Sequence, residues 1–127
     1  MPGRRRRRRW GHSRGGAWFL EPVLLLLLHQ SSAHGYTLIE QLGGFGLEGI
    51  DPSVVYRALR DMEQEGLVNS RWGEESLGPR RRVYTLTGDG EDVASAWARD
   101  LEKARGEIDR LLSAMKQSER DNTDSAD

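Results

Sequence analysis

Arginine is the residue type whose placement in this sequence could do chemistry. Arg80, Arg81 and Arg82 follow the pair Gly78-Pro79 and lead into the alternating stretch "RVYTLT". A guanidinium carries five N–H donors in a fixed fork that suits phosphate oxygens or the edge of a guanine. Arg57 and Arg60 fall with Ser53 and Gln64 on one side of "PSVVYRALRDMEQE" if that stretch is helical. Anion recognition is therefore the chemistry on offer. Bond-making is not. His12, His29 and His34 stand in no metal-ligand spacing, there is no cysteine to serve as nucleophile or ligand, and "GGFG" does not join a strand to a helix as a phosphate-cradling loop must. The sequence predicts no enzyme, no metal and no cofactor, and His34 reads as a capping or packing residue.

The formal net charge of −1 hides an asymmetry: residues 1–16 carry +7, residues 17–117 carry −5 and residues 118–127 carry −3. The arm over 1–16, with Arg4 to Arg9 consecutive, is low in complexity and expected to be disordered alone. Such an arm tracks phosphates or enters a minor groove, steepening the salt dependence of binding without adding sequence information. The acidic tail over 118–127 is likewise expected to be disordered. The start of the chain has the parts of a secretory signal, but Glu21 and Pro22 interrupt it and leave only Val23–Leu28. That run is far short of the roughly 20 apolar residues of a membrane span. It reads instead as a buried first helix of a cytoplasmic protein, in keeping with the absence of cysteine.

The elements that position the arginines follow from periodicity and stop signals. A first helix is expected from about Trp18 to Gln30, apolar nearly all round and so contacted on several sides. A second spans "GYTLIEQL", with Tyr36, Ile39 and Leu42 on one face and Leu38 beside them, and the glycines of "GGFGLEG" end it. Asp51-Pro52 starts a third helix over Ser53–Glu65, with Gly66 as its stop. Its core face is Val55, Leu59 and Met62. "LVNSRW" and "RVYTLT" form a hairpin longer than a two-residue turn allows. Thr87 caps a last helix to about Lys116, with Asp89, Glu91 and Asp92 at its positive end. The fold class is mainly α with a small β-hairpin: a winged helix-turn-helix domain over 17–87 and a long C-terminal dimerisation helix over 88–117.

In that architecture the second helix of the pair enters the major groove of double-stranded DNA and reads bases with its N-terminal half. Ser53, Val54 and Arg57 occupy this end, and Arg60 lies one turn on, towards the backbone. Arg57 suits a guanine or a phosphate; the alternative for both arginines is pairing with Asp61 and Glu63. The wing arginines Arg80, Arg81 and Arg82 cannot be buried on a hairpin and project towards the neighbouring minor groove or its phosphates. The alternative is a solvated turn in which they face Glu74 and Glu75 across the hairpin. Alternation sets Arg80 and Arg82 on one side and Arg81 on the other. In the last helix Ala94, Trp97, Leu101, Ala104, Ile108, Leu111 and Met115 recur at steps of three and four. An a/d stripe of that length predicts a homodimer in which this helix pairs with its copy and with the first helix, and a pair of recognition helices about 34 Å apart on a palindromic site. The alternative is that it folds back on its own domain only.

The quoted segments "HGYTLIEQL", "DPSVVYRALRDMEQEGLVNSRWGEE" and "GPRRRVYTLTGDGEDV" together resemble the PadR family of bacterial transcriptional regulators, over about Trp18 to Met115. The shared pattern comprises His34-Gly35-Tyr36; Tyr56, Leu59, Met62, Glu63, Gly66 and Leu67; and Gly78-Pro79 with Tyr84, Leu86, Thr87 and Gly90. The resemblance is closest to members with one C-terminal dimerisation helix. It implies a homodimeric repressor in which Tyr36, Tyr56 and the basic residues of the wing approach DNA. It further implies a small aromatic effector as a partner, with Phe19 and Trp97 as the residues that would line its space and packing as their other role. Arg57 stands where the family often has proline, and the hexa-arginine arm is a departure. The rival expectation is a winged-helix module that docks a protein and has no DNA site preference.

Overall fold

The computed structural model describes residues 19–73 and 81–125. The basic arm over 1–16 and Arg80 lie outside the described residues. Two compact units divide the chain, Met1–Ala94 and Ser95–Asp127.

In the first unit, helix α1 covers Leu20–Gln30, strand β1 Ala33–His34, helix α2 Gly35–Gln41, helix α3 Pro52–Gln64, strand β2 Val68–Trp72 and strand β3 Arg82–Leu86; helix α4 begins at Gly88. All-round hydrophobicity makes α1 the centre: Leu20, Val23, Leu24, Leu25, Leu27 and Leu28 are buried, and only Leu26 of its leucines is exposed. Pro22 sits in the first turn, where no intrahelical acceptor is needed.

A 3₁₀ turn over Leu42–Phe45 and buried Leu47 connect α2 to α3. Asp51 caps α3, accepting the Ser53 backbone N–H at 2.9 Å and the Ser53 hydroxyl at 3.0 Å. These bonds favour the carboxylate and hold its pKa below the ordinary 3.8, the backbone bond contributing most. Val55, Leu59 and Met62 are the buried face, as their spacing predicts. The helix stops at Gly66, whose φ of 80° is in the left-handed region. Gly66 N–H reaches the Glu63 carbonyl at 3.0 Å and Leu67 N–H the Met62 carbonyl at 2.9 Å, the paired bonds of a Schellman ending.

The sheet has three antiparallel strands in the order β1-β3-β2. The hairpin is as expected, with Val68 opposite Leu86, Ser70 opposite Tyr84 and Trp72 opposite Arg82. The additional strand is β1, which pairs Ala33 with Tyr84 and His34 with Val83. Two residues are too few to show alternation, and they are extended because the free edge of β3 offers them partners. His34 is therefore a strand residue and supplies no side-chain cap to α2.

Thr87 joins the sheet to α4. Its Oγ1 accepts the Gly90 N–H at 3.0 Å, while its hydroxyl hydrogen points at the Gly66 and Leu67 carbonyls, 2.6 and 3.0 Å away. His29 Nδ1 and Glu91 Oε1, 2.7 Å apart, tie the end of α1 to the start of α4.

In the second unit α4 continues to Ser125. This corrects the expected helix end at Lys116 and the expected disorder of the acidic tail: residues 118–125 are helical. No glycine or proline stands between Lys116 and Ser125 to break the helix. Gln117 Nε2 donates to Asp121 Oδ1 at 3.2 Å, and Thr123 Oγ1 to the Glu119 carbonyl at 3.0 Å, each one turn apart. Along the stripe, Trp97 is buried, Ala94, Leu101 and Ala104 are half-buried, and Ile108, Leu111 and Met115 are 55%, 56% and 53% exposed. Among the described residues no helix is long and apolar enough to cross a membrane.

Candidate nucleic-acid interface

The cap at Asp51 and the core contacts of Val55, Leu59 and Met62 fix the rotation of α3. Ser53, Val54, Tyr56, Arg57 and Arg60 are consequently all exposed. Arg57 and Arg60 form no ion pair with Asp61, Glu63 or any other carboxylate among the described residues, so their guanidinium groups face solvent. Ser53 is committed differently: its hydroxyl hydrogen belongs to the Asp51 cap.

Two aromatic side chains extend this surface. Tyr36, placed by spacing on the apolar face of α2, is instead 54% exposed, because Leu38 and Leu42, one turn apart, form the buried face. Tyr56 lies against α2 at Gly35. A Cβ on Gly35 would overlap Tyr56 Cε1 and stand 3.0 Å from its Cζ and Oη. The glycine of His34-Gly35-Tyr36 is therefore the space in which the Tyr56 ring sits.

The base of the wing closes the surface. Arg81 places its guanidinium 5.5 Å from the centroid of the Tyr36 ring. Arg82 stands 4.9 Å over the Trp72 ring and donates from Nε to Ser70 Oγ at 3.0 Å. Both distances are within the range of cation–π attraction. The neighbouring arginines thus turn to different partners, Arg81 to Tyr36 and Arg82 to Trp72 and Ser70. Below them Tyr84 is buried, and burial raises the pKa of its phenol above the ordinary 10.0; Arg82 and Arg60 oppose that rise while Glu63 and Tyr56 add to it. Ser70 on β2 joins the helix and the wing base, bonding Glu63 of α3 at 2.8 Å and Arg82 of β3 at 3.0 Å. Among the described residues no group of three His, Asp or Glu side chains gathers to hold a metal ion.

An exposed helix face thus lies beside a two-stranded wing whose base carries arginines held over aromatic rings. The profile of the transcriptional regulator PadR-like family matches residues 23–96, more than half of the 127 residues. The chain belongs to the PadR-like family of transcriptional regulators. Solved structures agree on the fold. A PadR-like transcriptional regulator from Bacillus cereus is 25% identical with a TM-score of 0.70, over 79% of this chain and 97% of that one. A PadR family transcription regulator from Clostridium difficile is 23% identical with a TM-score of 0.68, over 74% and 98%. Bacillus subtilis PadR, solved in complex with operator DNA, is 23% identical with a TM-score of 0.57, over 63% of this chain and 46% of that chain. No curated protein matches the chain at a significant level. The PadR-like family comprises regulators of transcription and not enzymes.

In this PadR-like chain the structure brings together Tyr36, Tyr56, Arg60, Arg81 and Arg82, with Val54 and Arg57 on the same helix. Phe19 is half-buried before α1 and Trp97 is buried on α4. Sequence reasoning missed Trp72, Ser70 and Glu63, which surround Arg82. Their signal was the hairpin register, and the pairing of Trp72 with Arg82 requires knowing where the hairpin closes.

Proposed function

We propose that this PadR-like regulator is a cytoplasmic homodimeric repressor of a palindromic operator. Val54 and Arg57 read base edges in the major groove, Tyr36, Tyr56 and Arg60 steady the helix, and Arg81 and Arg82 take phosphates beside it. One observation carries the reading: Arg57 and Arg60 lack any carboxylate partner among the described residues while Arg81 and Arg82 are braced on aromatic rings next to them. Cations held outward at the mouth of a groove-sized helix are suited to DNA. Pairing of two chains is supported by the exposed stretch of the α4 stripe, Ile108, Leu111 and Met115. Release by a small aromatic effector, with Phe19 and Trp97 as its contacts, rests on family resemblance.

The test is the binding of the full chain to the DNA upstream of its own gene and to a mixed-sequence duplex of equal length. Arg57→Ala is expected to weaken upstream binding by about 10- to 100-fold, the worth of a bidentate base contact, and to weaken mixed-sequence binding far less. Equal losses on both duplexes move Arg57 to the phosphate contacts. A wild-type chain with no preference between them overturns sequence-specific regulation and favours a protein-docking winged helix.

A further inference from the structure

Arg82 is fixed more firmly than an exposed arginine at a strand end needs to be. Its guanidinium stacks 4.9 Å above the ring of Trp72, its direct partner in the β2–β3 ladder. Its Nε donates to Ser70 Oγ at 3.0 Å, and Ser70 Oγ in turn donates to Glu63 Oε2 at 2.8 Å. Trp72 is 50% exposed, so its ring is not there to fill the core. Glu63 is also informative. A carboxylate on a DNA-facing patch repels phosphate, and a direct bond to Arg82 would neutralise the arginine. With Ser70 interposed, the carboxylate orients the serine, the serine holds Nε, and the guanidinium keeps its charge. The two Nη groups meet no acceptor among the described residues. Ring and serine thus fix the plane of the fork without occupying its tips.

We infer that Trp72 and Ser70 are positioning residues that hold Arg82 with its Nη groups aimed at a DNA phosphate. This rests on the proposed DNA binding and deepens it. A free arginine loses rotamer freedom when it engages a phosphate, and one already held by a ring and a serine loses less. Phosphate contact carries no sequence information, so the effect is the same on any duplex.

The experiment is a double-mutant cycle on the full chain, with a mixed-sequence duplex of about 30 bp read by anisotropy across a salt series. Arg82→Gln is expected to lower affinity and to reduce the salt slope by about one. Trp72→Ala is expected to lower affinity about three- to tenfold with the slope unchanged, because no charge is lost. Trp72→Phe, which keeps a stacking face, restores binding. In the Arg82→Gln background Trp72→Ala costs nothing further, and Ser70→Ala behaves in the same way. Should Trp72→Ala unfold, Trp72→Leu keeps apolar bulk without the π face and carries the same comparison. The inference is overturned alone if Arg82→Gln is impaired yet the Trp72 penalty persists in full beside it, or if Trp72→Ala lowers the salt slope. If Arg82→Gln binds as the wild type does, Arg82 makes no phosphate contact and the inference falls alone; if the wild type fails to bind duplex DNA, the proposed DNA binding falls with it.

Discussion

A chain carrying Ile108→Asp and Leu111→Asp is expected to stay folded, to sediment as a monomer and to lose operator affinity by about two to four orders of magnitude. Both residues are more than half exposed in the single chain, so aspartate there removes little packing. Both lie on the a/d stripe, where a partner chain would desolvate them. Two like charges facing their symmetry copies in an apolar seam are costly, because each must be desolvated beside a like charge. Loss of pairing then removes the second half-site contact, and with it the effective concentration that tethering supplies, which is where the large factor in affinity comes from. Sedimentation across a concentration series reads the assembly, and circular dichroism confirms the fold. A dimer as tight as the wild type would exclude the α4 seam as the interface.

The three glycines of α4 are expected to answer the same substitution in opposite ways. A Cβ at Gly90 would overlap the Leu67 carbonyl oxygen and come within 2.6 Å of Leu86 Cδ1. One of those neighbours is backbone in the junction that Thr87 bonds, so it has no rotamer by which to give way. Gly90→Ala should cost about 3 kcal/mol, at the upper end for overpacking, and lower the melting temperature by 10 °C or more on a size-based estimate of roughly 4–8 °C per kcal/mol. Nothing lies within 4 Å of a Cβ at Gly88, and at Gly106 the nearest atom is Arg110 Nη1 at 3.7 Å. Gly106→Ala should stabilise by about 0.5–1 kcal/mol through helix propensity alone, and Gly88→Ala should be close to neutral. Thermal melts of the three variants check the pattern. A Gly90→Ala protein as stable as the wild type would mean that α4 does not start against β2 and β3 in this way.

Position and type of the main helices were legible because each carries a redundant signal. In α3, cap, first-turn proline, apolar spacing and glycine stop all agree, and the helix runs Pro52–Gln64 against an expected Ser53–Glu65. In α1 the leucine run could be satisfied only by burial on several sides, whatever surrounded it. What escaped is what depends on a partner element. Strand β1 exists because β3 has an edge to fill. Tyr36 shares the helical spacing of apolar residues, and only the packing of Leu38 and Leu42 shows that it is turned outward. The bracing of Arg82 draws on residues from α3, β2 and β3, which no local pattern assembles. Composition at the end of the chain suggested disorder by its charge, yet bonds one turn apart carry the helix on through Thr123.

Hydroxyl-radical footprinting of the full chain on its own upstream DNA tests most directly whether two copies present α3 to adjacent grooves. The expected result is two protected patches related by two-fold symmetry, with centres about 34 Å apart along the duplex. A single patch without symmetry, or uniform protection with no preferred position, would contradict it.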